Sequence, residues 1–312
     1  MKIVFLGTPD IAAACLQKIV EDGFDVAAVY TKPDMPKNRG MKLAMSDVKQ
    51  YALTQDIPVL QPQSFRDPAV VEELRALAPD VIACVAYGKI LPQSVLEIPP
   101  LGCINIHASV LPKLRGSGPV QWAILNGEEE TGVTAMYMAP EMDAGDIIEI
   151  RRTPIDPAEN AQQLLDRLAR LGAQLLSDTM AQLRDGKPLP RKKQDNSMAT
   201  YAPMLTKALC PIDWRKTRRQ ICDHVRGLDP WPSAYTDYLG GTLKIYRARP
   251  VEGEGDPGTV LRSSAKEGLF VACGEGALEV LEMQAPGGKR MSARAYLAGK
   301  KIEPGTKFGE GI

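Results

Sequence analysis

The chain has 312 residues, 44% of them hydrophobic and 24% charged. That is ordinary globular composition at a length beyond what one hydrophobic core usually organises, so two domains are expected and disorder, collagen and coiled coil are excluded. Lysine plus arginine (38) cancels aspartate plus glutamate (38), so a polyanion would have to be held by a locally basic surface.

The N-terminal MKIVFLGTPD reaches a glycine and a proline after a short apolar run, which reads as a buried first strand and not as a signal segment. No apolar run approaches the roughly 20 residues of a bilayer span, so a cytoplasmic protein with no membrane partner is expected. Up to about residue 185, short β-rich runs alternate with helical periodicity, predicting a mostly parallel α/β sheet covered by helices. The predicted strands are 2–6, 25–30, 81–85, 103–106, 133–138 and 147–151, and the predicted helices include 11–20, 69–77 and the long 161–183. Residues 185–200, DGKPLPRKKQDNSMAT, are polar, basic and carry two prolines, the composition of a linker. Beyond it come one helical stretch at 217–228 and short runs at 234–238, 242–249, 258–261, 268–272 and 278–283. Glycines punctuate them closely, as in a small antiparallel barrel or sandwich. Residues 206–312 hold seventeen basic and thirteen acidic residues, which suggests that this part faces a polyanion.

Six cysteines are scattered without a CxxC pair, and only His107 and His224 supply imidazole, so neither disulfides nor a poly-histidine metal site is expected and no metal is required. Gly7-Thr8-Pro9-Asp10 follows the first strand with one glycine where a dinucleotide fingerprint needs three. A tight turn with Asp10 as helix cap is the better reading. Cys103 to Ser109, CINIHAS, carries more chemistry. Strand alternation puts Asn105 and His107 on one face, at the carboxyl end of a strand where α/β sheets bind ligands. Downstream lie a stiff glycine-bearing loop, LPKLRGSGP, and the turn Met142-Asp143-Ala144-Gly145-Asp146.

NIHASVLPKLRGSGPVQWAILNGEEETGVTAMYM followed by MDAGDII resembles the 10-formyltetrahydrofolate-dependent formyltransferases. The N-I-H, S-x-L-P and L-R-G blocks together are specific to that family. The resemblance implies a catalytic trio of Asn105, His107 and Asp143, and a folate-lining segment Ser109, Val110, Leu111 and Pro112. Val110 stands where the family usually has leucine. Three branches share the trio: those acting on glycinamide ribonucleotide, on an aminoarabinose nucleotide sugar and on methionyl-tRNA. FLGTPDIAA, TKPDMPKNRGMKL, VAYGKILP, and IDW with RGLDPWPSAYT resemble the third branch along nearly the whole chain. One departure is Ala208 to Pro211, where acidic residues are common.

The resemblance implies a mostly parallel Rossmann-like formyltransferase domain over 1–186, a linker over 187–205 and a small OB-like β-barrel, tRNA-binding domain over 206–312. Its expected substrates are 10-formyltetrahydrofolate and initiator methionyl-tRNA, and the expected state is a monomer. Attack of an amine on a formyl carbon creates an oxyanion and a charged nitrogen. Asn105 would donate to the oxyanion, His107 would donate to it when protonated, and Asp143 would pair with that imidazole or relay the amine's proton. The loop 31–43 carries Lys32, Lys37, Arg39 and Lys42 against Asp34. Two prolines and a glycine predict a projecting segment there, and the resemblance implies that it tests the acceptor end of the tRNA. A transferase for an aminosugar nucleotide and a non-catalytic binding protein are the alternatives. The intact trio argues against the second.

Overall fold

The apolar run Lys2–Gly7 forms β1, and Ile3 to Leu6 are wholly buried, as a strand covered on both faces requires. The structure, a computed structural model, describes residues 1–37 and 42–309. After β1 come α1 (Asp10–Glu21), β2 (Asp25–Tyr30), β3 (Met35–Lys37), β4 (Lys42–Ala44), α2 (Asp47–Thr54) and β5 (Val59–Leu60). They are followed by α3 (Pro68–Ala76), β6 (Val81–Val85), α4 (Gln93–Leu96), β7 (Cys103–His107), α5 (Pro119–Leu125), β8 (Glu130–Tyr137), β9 (Ile147–Pro154) and α6 (Ala161–Arg184). Contacts divide the chain into two units: Met1–Pro119, Glu130–Pro154 and Leu165–Pro203 form the first, and Val120–Glu129, Ile155–Leu164 and the chain from Met204 form the second.

The first unit is built on a seven-stranded sheet in the order β5-β2-β1-β6-β7-β8-β9. β5, β2, β1, β6 and β7 are parallel, and β8 and β9 extend the sheet antiparallel. This is a Rossmann-like α/β sheet of the mostly parallel kind expected from the alternating pattern. The chain runs outward from β1 to β2 and β5, then returns to β6 and β7 on the other side of β1. Ligands of open α/β sheets sit outside the carboxyl ends of strands near such a reversal, and His107 is the last residue of β7. The cap of α1 is Pro9, and Asp10 is its first residue, accepting from the Ile11 N–H at 2.8 Å. The expected capping role thus passes to a neighbour, while the acidic charge stays in the first turn, where the helix dipole favours it. β3 and β4 pair as a short antiparallel ribbon, Met35 opposite Ala44, within a segment that composition alone reads as loop. Residues 187–203 pack on this unit: Lys192 exchanges backbone bonds with Ile147 (2.8 and 3.0 Å), and Leu189 is buried.

In the second unit α7 (Arg218–Gly227) opens with a reciprocal capping box between Thr217 and Gln220. Then follow β10 (Tyr235–Tyr238), β11 (Gly241–Val251), β12 (Val260–Ser264), β13 (Gly268–Ala272), β14 (Ala277–Gln284), β15 (Met291–Ser292) and α8 (Ala293–Gly299). The antiparallel order is β10-β11-β14-β13-β12, with β15 on β14. Register shifts at Ile245/Arg247 and Arg247/Ala248 interrupt β11, and such irregularities bend a strand and curl its sheet. Ile221 and Val225 of α7 join Trp214, Leu243, Leu278 and Phe308 in the core, and Trp122 and Leu125 of α5 pack against it.

Candidate active site

Asn105 and His107 alternate with Ile104 and Ile106 along β7, so one face carries the two polar groups and the other is apolar. Both are nearly enclosed, with 8% and 7% of their surface exposed. His107 Nε2 lies 2.9 Å from the carbonyl oxygen of Leu114. A carbonyl only accepts, so this nitrogen carries the proton and Nδ1 is left to the other side of the ring. There the Oδ2 of Asp143 stands 3.7 Å away. The same Oδ2 accepts the Gly116 N–H at 2.8 Å, which fixes the carboxylate. Among the described residues no protein group hydrogen-bonds the Asn105 side chain, so its amide N–H groups are available to an incoming oxygen. The structure thus brings Asn105, His107 and Asp143 together from β7 and a turn almost forty residues later.

The turn holding Asp143 is made by its neighbours. Asp143 has φ +52°, a left-handed conformation that side chains avoid. Gly145 packs against the backbone of β8 so closely that a Cβ there would lie 2.8 Å from the carbonyl carbon of Tyr137. Gln194 braces the turn: its Nε2 donates to the carbonyl oxygens of Asp143 and Gly145, both at 2.8 Å. Its Oε1 accepts from Arg115 Nε and Nη2 at 3.2 and 2.8 Å, and Asn196 Oδ1 accepts from Nη2 at 2.8 Å. Arg115 is 1% exposed, and a buried guanidinium needs such acceptors. Residues 114–116 therefore supply the His107 partner, the Gln194 partner and the Asp143 partner in succession. The Leu114-Arg115-Gly116 motif pointed at this segment; nothing in the polar stretch around Gln194 marked that residue.

Ser109 to Pro112 form the turn after β7. Ser109 and Leu111 are buried, whereas Val110 and Pro112 are partly exposed. The Ser109 hydroxyl donates to the Lys113 carbonyl (2.7 Å), and the Leu111 N–H donates to Thr134 Oγ1 (3.2 Å). A groove of about 370 Å³ adjoins the Asp143 turn, lined by Leu96, Cys103, Tyr137 and Met138 on its apolar side and by Ala144 to Asp146. Burial pushes the thiols of Cys84 and Cys103 up to about 12, so neither offers a thiolate at neutral pH. Among the described residues no three His, Cys, Asp or Glu side chains gather in a way that could hold a metal.

Lys32 is partly buried beside Gly88. Asp34, the acid of the same segment, is paired with Lys49 of α2 at 2.6 Å and accepts from Gln61 at 2.9 Å, and these two hold its carboxyl below the usual carboxylate range. Lys37 and Lys42 belong to the β3 and β4 ribbon. Arg39 lies outside the described residues.

Comparison with known proteins gives the same reading of the two halves. The formyl transferase family profile matches residues 1–180, and that of the formyl transferase C-terminal domain matches 204–301. The methionyl-tRNA formyltransferase of Geobacter sulfurreducens is 49% identical over 310 residues, covering 99% of this chain and 97% of its own. That of Geotalea uraniireducens is 50% identical, covering 99% and 98%. Among solved structures, an N-formyltransferase from Helicobacter canadensis in complex with folinic acid and dTDP-3-aminofucose aligns with TM-score 0.68 at 20% identity, over 90% of this chain and 99% of its own. HypX from Aquifex aeolicus in complex with tetrahydrofolic acid aligns with TM-score 0.65 at 20% identity, over 98% of this chain and 50% of its own. These two likenesses concern the fold. By its domain matches and its near-half identity to these relatives over almost the full length, the chain belongs to the methionyl-tRNA formyltransferase family of formyl transferases.

Proposed function

We propose that the protein transfers the formyl group of 10-formyltetrahydrofolate to the free amino group of methionyl initiator tRNA, giving the formylmethionyl-tRNA used to start translation. The observation that carries this reading is the enclosed cluster in which the Asn105 amide, without a hydrogen-bond partner among the described residues, shares the end of β7 with His107 and its facing carboxylate, Asp143, at 3.7 Å. The methionyl amine attacks the formyl carbon, and the carbonyl oxygen takes up the negative charge. Asn105 donates to that oxyanion, and a donor so placed lowers the barrier by about 3 kcal/mol in other enzymes. The C–N10 bond then breaks, N10 takes a proton and the amine loses one. His107, through Nδ1, and Asp143 handle that proton, because Nε2 is committed to Leu114.

The donor suits the chain's own residues. Its flat ring system matches the groove beside the Asp143 turn, where apolar side chains offer contact area and backbone amides and carbonyls offer hydrogen bonds. Ser109, Val110, Leu111 and Pro112 are assigned as further contacts of the folate, with Val110 and Pro112 as the partly exposed members. In the tRNA complex Lys32, Lys37, Arg39 and Lys42 meet the acceptor end. The pairing of Asp34 with Lys49 leaves this basic charge less compensated than composition suggests.

We assign residues 1–186 to catalysis, 187–205 to a connecting strap and 206–312 to an OB-like barrel that binds tRNA, a reading supported by a six-stranded antiparallel sheet and a bent β11. The protein works as a cytoplasmic monomer, each group of the cluster coming from one chain. The test offers formyl-labelled 10-formyltetrahydrofolate with equimolar initiator methionyl-tRNA and a dTDP-aminosugar. Label is expected in the tRNA alone. Label in the sugar, or in neither, would overturn the reading.

A further inference from the structure

The side chain that links the two halves of the candidate site comes from neither. Gln194 lies in the irregular stretch after α6, about fifty residues beyond the Asp143 turn, yet its amide bonds to both carbonyls that flank Ala144 and to the buried Arg115. Arg115 sits between Leu114, whose carbonyl holds His107, and Gly116, whose N–H holds Asp143. A planar amide can serve both sides at once because it donates from nitrogen and accepts at oxygen. No other residue type of that length has this division: glutamate only accepts, and lysine only donates.

We propose that Gln194 is a positioning residue for formyl transfer, holding Asp143 in its left-handed turn against His107 by clamping that turn to Arg115. The inference depends on the reaction proposed above only for its kinetic readout. The Asp143 conformation, φ +52°, is one that the backbone leaves unless neighbours over-determine it. The clamp supplies two bonds to that turn and is closed on the far side by Arg115 and Asn196. Gln194 touches no reacting atom in this scheme. Its loss is expected in turnover and not in substrate affinity.

The test uses the full chain with Gln194→Glu, which keeps the acceptor for Arg115 but turns an oxygen toward the two turn carbonyls, and Gln194→Met, which keeps length without polarity. Both should lower kcat about tenfold or more, with KM for folate and tRNA within about twofold, a split that marks loss of transition-state geometry. In an Asp143→Asn background, assayed at high enzyme over hours, neither should lower the rate further, since residues acting through one another are not additive. The chain has two histidines, so imidazole NMR reports His107 with His224 as internal control, independently of activity. The His107 signals should move in the Gln194 variants in the same sense as in Asp143→Asn, and those of His224 should stay. Wild-type kcat in both variants, a change confined to KM, multiplicative loss on Asp143→Asn, or unmoved His107 signals would overturn the proposal. Absence of formyl transfer by the wild type would instead refute the reaction, and the NMR comparison would still decide the role of Gln194.

Discussion

Replacing Gly145 by alanine shifts the turn that holds Asp143 while leaving the Asn105, His107 and Asp143 side chains chemically unchanged. The added Cβ would stand 2.8 Å from the carbonyl carbon of Tyr137 and nearer still to its oxygen. Carbon atoms in contact settle at about 3.5–4.0 Å, so the turn and β8 must part by about 1 Å. β8 is bonded on both sides, to β7 and to β9, so the turn is the partner that yields, and Asp143 moves with it. A displacement of about 1 Å in a reacting constellation costs about a hundredfold in rate, while overpacking of this size costs about 1–3 kcal/mol of stability. Gly186, at the end of α6, provides the control: its φ is +70° and a Cβ there would meet nothing within 4 Å. Gly186→Ala should cost about 1 kcal/mol through backbone strain and leave turnover unchanged. Measured by steady-state formylation and urea unfolding, both variants should lose stability, and Gly145→Ala alone should lose kcat. A Gly145→Ala enzyme with wild-type kcat would refute the claim that turnover depends on where this turn holds Asp143.

His107→Ala should lower kcat about a hundredfold or more with folate binding retained, checked by initial rates and by folate titration. His224 is half-buried on α7, its Nε2 has no partner among the described residues, and desolvation, followed by Lys216, holds its pKa down to about 4. A histidine in the unfolded chain takes its proton near pH 6.5. Its stability penalty is therefore absent above that value and grows as pH falls toward 4. Between pH 7 and pH 5 the wild type should lose about 2 kcal/mol more than His224→Gln in urea unfolding, and equal losses would remove His224 as the cause. Arg39→Ala should lower kcat/KM for initiator methionyl-tRNA about tenfold or more, with Arg39→Lys restoring part because an ammonium cannot reproduce the paired bonds of a guanidinium. Binding of tRNA to the full chain should weaken steeply with added salt while folate binding changes little, and parallel salt slopes would count against a phosphate-contacting surface.

Much of the scaffold is legible because burial imposes a period on the sequence. β1, β2, β6 and β7 coincide with their apolar runs to within a residue, and the helix read at 217–228 coincides with its caps, Thr217 and Leu228. β12 is displaced to Val260–Ser264 from the run read at 258–261. Gly258, at φ +85°, turns the chain before the strand begins, and an apolar count cannot see that. Asn105 and His107 could be paired from strand alternation alone, and Asp143 from the family pattern. The ring orientation of His107 could not, because its partner is a backbone carbonyl at Leu114, a group every residue carries. Arg115 looks like a surface charge in any composition table and is buried. Gln194 sits in a basic, proline-bearing stretch with no period, so its contact with a turn about fifty residues earlier is set by tertiary packing only.

The most direct measurement is a single-turnover comparison of wild type and Asn105→Ala, with enzyme in excess over formyl-labelled donor and initiator methionyl-tRNA, alongside donor dissociation constants for both. If Asn105 donates to the oxyanion, the rate constant for transfer should fall about a hundredfold or more while the dissociation constant of the folate stays within about twofold. A variant that transfers formyl at the wild-type rate, or one whose only defect is weaker folate binding, would contradict the assignment of this cluster as the centre of formyl transfer.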